Sequence, residues 1–331
     1  MRLEDLRGQD QAVTVLRRAI ATGRVPHAYL FEGPPGVGKP SAAVGLAMAL
    51  NCDTRAGAGA APACGTCESC RRIDGGLHPD VLTFVSDGPQ ILVEQAQEIV
   101  TLGQRAPHEA RARVVIIDDA DRLNVNAANC LLKTLEEPWP GTHLVLGTAA
   151  PERLLGTIRS RTQRIRFRAL PAATLVELGL GRGMDRGRTE VAAVLADGSV
   201  ARFFELAGDV EDDGTRAGAQ ALLEAARGRG IAPILDTAVE LGDKEGKARL
   251  PLVLTLMGRI YRDALVRNVG APELAVLSAD TGGPTNLGPA ALGRALASLV
   301  ETETALAGNA NAVLALERLL LNLRREERAA S

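Results

Sequence analysis

The sequence contains little lysine, few aromatic residues and no long apolar run. Aromatic residues make up 2% of the 331 residues, the formal net charge is −2, and arginine supplies nearly all the positive charge. The lysines are Lys39, Lys133, Lys244 and Lys247. No run of about 18 uncharged apolar residues occurs, and the first residues lack the apolar core of a signal peptide. We therefore expect a cytoplasmic protein without a membrane span, whose near-neutral charge neither favours nor excludes a nucleic-acid partner.

Cysteine is also scarce, but four of the five cysteines are clustered. Cys52, Cys64, Cys67 and Cys70 have the spacing C-x11-C-x2-C-x2-C. Disulfides are rare in the cytoplasm, whereas closely spaced thiolates converge on a tetrahedral ion, so the pattern predicts a structural Zn²⁺ site. An iron–sulfur cluster also takes four cysteine ligands and is the alternative, although nothing else in the sequence indicates redox chemistry. Cys130 lies at an apolar position of a predicted helix and is interpreted as a packed apolar residue.

A glycine-rich motif of the form G-x-x-x-x-G-K follows a predicted strand and opens a predicted helix. Backbone N–H groups of such a loop, together with the helix N-terminus, hold nucleotide phosphates, and the lysine reaches the outer phosphates. The residues assigned to nucleotide binding on this basis are Gly33, Gly36, Gly38 and Lys39. A glycine-rich turn that binds nothing is the alternative interpretation.

The position after the lysine departs from the phosphate-loop pattern. That position normally carries a Ser or Thr hydroxyl that coordinates Mg²⁺, but this chain has Pro40. Proline removes the hydroxyl and one N–H, although the first turn of a helix tolerates it. Ser41 lies about 100° further around the helix and is not expected to replace the lost ligand. We therefore expect weak binding of ATP or ADP, an impaired Mg²⁺ site and little hydrolysis.

Two acids follow the apolar run Val114–Ile117 and form the second half of the predicted nucleotide site. Asp118 is in the position that holds Mg²⁺ through water. The next position normally has a glutamate that activates the attacking water, but Asp119 is one methylene shorter. Catalytic geometry is sensitive to displacements of about 1 Å, so this change also predicts a vestigial site. The alternative is that the acidic pair caps the next helix.

The order of apolar runs predicts an α/β fold followed by helices. Strand and helix patterns alternate in the first half, which is typical of a parallel sheet covered by helices on both faces. A flexible Ala/Gly-rich loop at 55–63 and an acidic linker at 208–214 are also predicted. The predicted strands are 27–31, 81–85, 113–117 and 143–148, and the predicted helices are 40–50, 125–135, 217–226, 250–266, 288–306 and 312–325, with further short helices within 171–207.

Several motifs resemble the bacterial clamp-loader ATPase family. They are the phosphate loop, the cysteine cluster after its helix, IIDDADRLN, AANCLLKTLEEP and LVLGTAAPERLLGTIRSRTQRIRF. The resemblance runs from Gly8 to about Ala207 and is greatest to the delta-prime subunits of DNA polymerase III. It implies an AAA+ domain at 1–168 with the zinc insertion at about 52–70, a small helical lid domain at 169–207 and a helical collar domain at 215–331.

The resemblance also implies roles for individual residues. Thr148 matches the sensor-1 position, and Arg202 is the candidate for the sensor-2 arginine. Ser160-Arg161-Thr162 is similar to a Ser-Arg-Cys motif whose arginine acts in trans on the ATP of a neighbouring subunit. Surface arginine without a role is the alternative for both arginines. The segment Leu135–Pro138 is a family marker to which no chemistry is assigned.

Three functions are compatible with these features. The favoured one is a stator-like subunit of a hetero-pentamer with gamma/tau-type and delta-type subunits, an assembly that uses ATP to load a sliding clamp on primer–template DNA. The second is an active motor ATPase of the gamma/tau type, which Pro40 and Asp119 disfavour. The third is an adaptor that keeps the fold only as a scaffold.

Overall fold

The computed structural model describes residues 1–54, 63–85, 88, 90–208, 214–243, 246–277 and 282–329. Most of the predicted loop at 55–63 and of the predicted linker at 208–214 lies outside these residues. The chain forms two compact units, residues 1–170 with 199–201, and residues 171–198 with 202–331. Within the described residues, no helix is long and apolar enough to cross a membrane.

The first unit is built on a five-stranded parallel sheet with the strand order β2-β3-β4-β1-β5. The strands are β1 (Ala28–Glu32), β2 (Val81–Phe84), β3 (Arg113–Ile117), β4 (Thr142–Thr148) and β5 (Gln163–Arg166). The four predicted strands are confirmed to within one residue at each end. β1 and β3 are buried along their whole length, as expected for strands covered on both faces. The edge strand β5 was not predicted, because Ile165 is its only buried residue.

Six α-helices accompany this sheet in the described residues: α1 (Asp10–Ala21), α2 (Lys39–Asn51), α3 (Glu68–Asp74), α4 (Val93–Gly103), α5 (Val125–Glu136) and α6 (Gly156–Ser160). Short 3-10 helices lie at Leu3–Asp5, Ala120–Arg122 and Pro151–Arg153. α2 is buried on nearly every side, which its small residues allow. On one face of the sheet, Val115 and Leu146 share a core with Leu131 and Leu135 of α5 and with Ile158 of α6. That core fixes the C-terminal ends of α5 and α6.

The elements described for the second unit are all helical. They are α7 (Ala172–Leu180), α8 (Arg186–Leu195), α9 (Val200–Gly208, whose first residues belong to the first unit), α10 (Thr215–Arg227), α11 (Ala232–Gly242), α12 (Gly246–Asn268), α13 (Pro289–Ala307) and α14 (Ala312–Ala329), with a 3-10 helix at Pro272–Leu274. Leu254, Met257 and Tyr261 of α12 lie in a core with Leu316 and Leu320 of α14. The predicted helices are confirmed. α12 begins upstream of the prediction, because Asp243 accepts the Gly246 N–H at 2.6 Å.

Candidate functional site

The glycine-rich loop lies at the carboxyl end of β1 and leads directly into α2. Gly33 and Gly36 have φ angles of 152° and 73°, in the region that favours glycine. A Cβ at Gly33 would lie 2.2 Å from the Phe167 carbonyl oxygen, and one at Gly36 would lie 2.0 Å from Ser199 Oγ. Both positions therefore require glycine, and neighbouring chain segments pack closely against the loop.

Lys39 is buried and turned back on its own loop. Its Nζ donates to the carbonyl oxygens of Gly33 and Pro34, each at 2.7 Å. Burial lowers the pKa of Lys39, although the charges of nearby aspartates partly oppose that shift. An ammonium group has three N–H donors, and the loop uses two of them. A phosphate bound in this loop would therefore compete with the loop carbonyls for the lysine.

The first turn of α2 contains Pro40, at the position that usually carries the Mg²⁺ ligand, and Ser41. Gly38 is in the left-handed conformation just before the helix, and Lys39 is its first residue. Pro40 is exposed and Ser41 is half-buried. As expected for a proline in the first turn, the helix is continuous through Pro40.

The acidic residues lie at the end of β3. Burial raises the pKa of Asp118, and the charges of Asp119 and Asp121 add to that shift. Asp119 has a left-handed backbone with φ 52° and precedes the 3-10 helix without a side-chain capping bond. Its carboxylate pairs instead with Arg122, with 3.5 Å between Oδ2 and Nε. The capping alternative is thus wrong for the Asp119 side chain.

Thr148, the predicted sensor residue, contacts the acidic segment through Asp121, which the sequence analysis did not single out. Thr148 Oγ1 donates to Asp121 Oδ1 at 2.6 Å, and the Ala149 N–H donates to the same oxygen at 3.3 Å. The Thr148 carbonyl accepts the Gly33 N–H at 3.1 Å. The end of β4 therefore connects the glycine-rich loop with the acidic segment. Asp121 is the third aspartate of the IIDDAD motif, and its place in that motif is the signal from which the sequence could have identified it.

Glu32, the last residue of β1, is a second residue that sequence reasoning missed. Its buried carboxylate accepts from Arg164 Nη2 at 2.7 Å and from Arg166 Nε at 2.9 Å. Burial alone raises the pKa of Glu32, but the two guanidinium groups outweigh it and hold the pKa below its ordinary value. These ion pairs connect the edge strand β5 to the end of β1, where the glycine-rich loop begins.

The four clustered cysteines converge as the sequence predicts. Their sulfur atoms all lie within 4.8 Å of one another, and the Cys52–Cys67 and Cys64–Cys70 pairs are each 4.0 Å apart. Tetrahedral zinc with bonds of about 2.3 Å would place its sulfurs about 3.8 Å apart, so the geometry fits a metal ion. Backbone N–H groups at Thr66 and Cys67 lower the pKa of Cys64 to about 5, which favours the thiolate that binds metal.

The fifth cysteine lies outside this cluster. Cys130 is half-buried and packs against the core that contains Leu131 and Leu135. This position agrees with its interpretation as a packed apolar residue.

Arg161 directly follows α6, and its side chain makes three contacts. Its Nη2 lies 2.7 Å from Glu136 Oε1, and its Nη1 donates to Thr157 O at 3.1 Å and to Ser160 Oγ at 3.3 Å. The Arg161 side chain is 35% exposed. Thr162, the departure from the family motif, is buried, and its hydroxyl donates to the Ile158 carbonyl at 3.1 Å. The departure therefore leaves no unsatisfied hydroxyl beside the arginine.

Comparison with known proteins places these features in a family. The family model described as DNA polymerase III, delta subunit, matches residues 8–171. The DNA polymerase III subunit delta' of Bacillus subtilis is 33% identical over 265 residues, which cover 79% of this chain and 78% of that protein. The chain belongs to the delta-prime clamp-loader family.

Two further matches are a tau subunit and a gamma subunit-related protein. The DNA polymerase III subunit tau of Escherichia coli is 31% identical to this delta-prime family chain over 289 residues. The matched region covers 80% of this chain and 44% of the tau subunit. A gamma subunit-related protein of Thermotoga maritima, a solved structure, is 20% identical, with a TM-score of 0.45 over 96% of this chain and all of that one.

In this delta-prime family chain, the first unit brings together most of the predicted site residues. Lys39 interacts electrostatically with Asp118 and Asp119, while Thr148 is linked to the loop through Gly33. Arg202 lies on α9 and belongs to the second unit, so its sensor-2 role stays a prediction.

Proposed function

We propose that the chain is a stator-like clamp-loader subunit that donates Arg161 to the ATP of a neighbouring subunit and hydrolyses little ATP itself. The observation that carries this proposal is the contrast between two groups. Lys39 is buried against its own loop carbonyls, whereas the guanidinium of Arg161 is partly exposed. Lys39 must exchange its loop carbonyls for phosphate before it can act, whereas Arg161 is accessible to another chain.

Three features support weak hydrolysis by the chain itself. Pro40 removes the Mg²⁺-binding hydroxyl, and Asp119 is both short and engaged by Arg122. The hydroxyl of Thr148 is directed to Asp121. Weak binding of ATP or ADP through Gly33, Gly36, Gly38 and Lys39 remains part of the proposal.

The finger role follows from the chemistry of phosphoryl transfer. Charge develops on the transferring phosphoryl group, and an arginine supplied from a neighbouring subunit stabilises that charge, raising the rate by about 10³ to 10⁵. An arginine side chain presents five N–H donors in a planar fork that matches the oxygens of a phosphate group.

The cysteine cluster takes a structural role in this proposal. Cys52, Cys64, Cys67 and Cys70 would hold Zn²⁺ with four thiolates and no open position, so the metal would stabilise the insertion without taking part in catalysis.

The assembly follows from the family. We infer an AAA+ domain at 1–168, a lid at 169–207 and a collar at 215–331. The chain would join gamma/tau-type and delta-type subunits in a cytoplasmic hetero-pentamer, which loads the sliding clamp on primer–template DNA.

The test compares ATP hydrolysis by the isolated chain with that of the reconstituted clamp loader. We expect no measurable turnover from the isolated chain with Mg²⁺. In the complex, Arg161→Ala should lower kcat by about 10³ or more, while the chain keeps its circular dichroism spectrum and its place in the assembly. Turnover by the isolated chain that Lys39→Ala abolishes would favour the motor function. An Arg161→Ala complex with normal kcat would remove the finger role.

A further inference from the structure

Glu136 is the residue that pairs with the exposed arginine. It is the last residue of α5, and its Oε1 lies 2.7 Å from Arg161 Nη2. Glu137, the next residue, is also exposed, and the contact described for it is a backbone bond to the Lys133 carbonyl. Of these two adjacent carboxylates, Glu136 is thus the one that contacts Arg161.

The backbones that carry Glu136 and Arg161 are fixed by one core. Leu135, which precedes Glu136, and Ile158, one turn before Arg161, are both buried in the cluster beneath the sheet. Thr162 adds a hydrogen bond to the Ile158 carbonyl at 3.1 Å. The mobile part of the contact is therefore confined to the two side chains.

The ion pair contributes little to folding. The two side chains are 35% and 51% exposed, and exposed pairs of this kind contribute about 0 to 1 kcal/mol. A carboxylate at the C-terminus of a helix is moreover disfavoured by the helix dipole, by about 0.3 to 1 kcal/mol. Stability therefore gives no reason to prefer a glutamate here. The consequence of the contact lies in the orientation of the guanidinium.

The hydrogen-bond pattern leaves donors available for an external anion. The contacts to Glu136, Thr157 and Ser160 occupy at most three N–H groups. A guanidinium has five, so two remain when all three contacts are made. The carboxylate can thus restrict the rotamers of Arg161 without blocking its contact with phosphate.

We propose that Glu136 is a positioning residue, whose carboxylate holds the Arg161 guanidinium in the orientation that reaches the phosphates of a neighbouring subunit's ATP. This inference rests on the proposed finger role of Arg161. A flexible arginine loses rotamer freedom when it binds phosphate, and a preset orientation reduces that loss in the transition state.

The experiment measures kcat and KM for ATP in the reconstituted clamp loader with full-length chains. We expect Glu136→Ala to lower kcat about tenfold, within the range of coupling between contacting residues, with KM changed less than about twofold. Glu136→Gln keeps an acceptor oxygen and should retain part of the activity. The matched control Glu137→Ala, which removes the adjacent carboxylate, should resemble the unmodified complex. In the Arg161→Ala background, Glu136→Ala should have no further effect.

Each other outcome is decisive. A normal kcat for Glu136→Ala, with Arg161→Ala inactive, would overturn the positioning role and leave the finger role intact. A higher kcat would mean that the carboxylate competes with phosphate, which also overturns the proposal. An equal loss from Glu136→Ala with and without Arg161 would assign the effect to structure alone. A normal rate for Arg161→Ala would contradict the finger role itself.

Discussion

At the scale of single residues, Asp80 and Arg113 form a buried ion pair that is surrounded by further hydrogen bonds. Asp80 is fully buried and accepts N–H bonds from residues 108–110 at 2.8 to 2.9 Å. Arg113 Nη2 lies 2.8 Å from the same carboxylate and also donates to the Ala106 carbonyl. Burial alone raises the pKa of Asp80, but these donors outweigh it and hold the pKa well below its ordinary value.

Asp80→Asn should therefore destabilise the protein in a pH-dependent way. At pH 7 the free energy of unfolding should fall by about 3 kcal/mol, because Arg113 keeps a buried charge without its counter-ion. A depressed folded-state pKa contributes stability above the unfolded pKa of about 3.9, and that stability is lost as the pH falls below it. Urea unfolding of both proteins at pH 7, 5, 4 and 3 should show the difference shrinking below about pH 4. A difference that stays constant down to pH 3 would contradict the assigned cause.

At the scale of elements, one arginine of α14 caps the end of another helix. Arg324 is 7% exposed, and its guanidinium donates to the carbonyls of Ala225 at 2.5 Å and Ala226 at 3.4 Å, and to that of Gly230. These carbonyls lie at or just beyond the C-terminal turn of α10, where acceptors lack helical partners and a cation is favoured by the dipole.

Arg324→Ala should lower the free energy of unfolding by about 3 kcal/mol, because it leaves buried carbonyls without donors. Its neighbour Arg325 is exposed, so Arg325→Ala should change the stability by less than about 0.5 kcal/mol. Chemical denaturation followed by circular dichroism measures both. If both substitutions lowered the free energy of unfolding equally, the loss would come from removing a positive charge and not from uncapping α10.

The same scale shows what the sequence could and could not predict. The strands β1, β3 and β4 were predictable because each contains a short apolar run that is buried on both faces. α11 was not singled out, because Leu235 and Val239 on it are exposed and blur the amphipathic pattern. The pairs Thr148–Asp121 and Arg161–Glu136 join residues more than 20 positions apart. No sequence period encodes such contacts, since the order of parallel strands creates them.

At the scale of the whole molecule, the cysteine cluster connects two segments of the first unit that the sequence separates. Cys52 directly follows α2, Cys67 caps the start of α3, and Cys70 is buried within α3. Cys52 and Cys70 are almost inaccessible, and without a metal the thiols of the cluster would contribute weak N–H···S contacts to this part of the unit. A bound ion would instead bring its binding free energy to the folded state.

We expect one equivalent of zinc per chain, which Cys67→Ser should largely remove. Its loss should lower the melting temperature by about 5 °C or more, since a few kcal/mol shift the transition of a unit this size by that amount. Cys130→Ser is the matched control, because that thiol lies outside the cluster, and it should leave the zinc content unchanged. Elemental analysis and differential scanning calorimetry measure the two quantities. Iron and sulfide with visible absorption would identify an iron–sulfur cluster instead, and full metal content in Cys67→Ser would exclude the four-thiolate site.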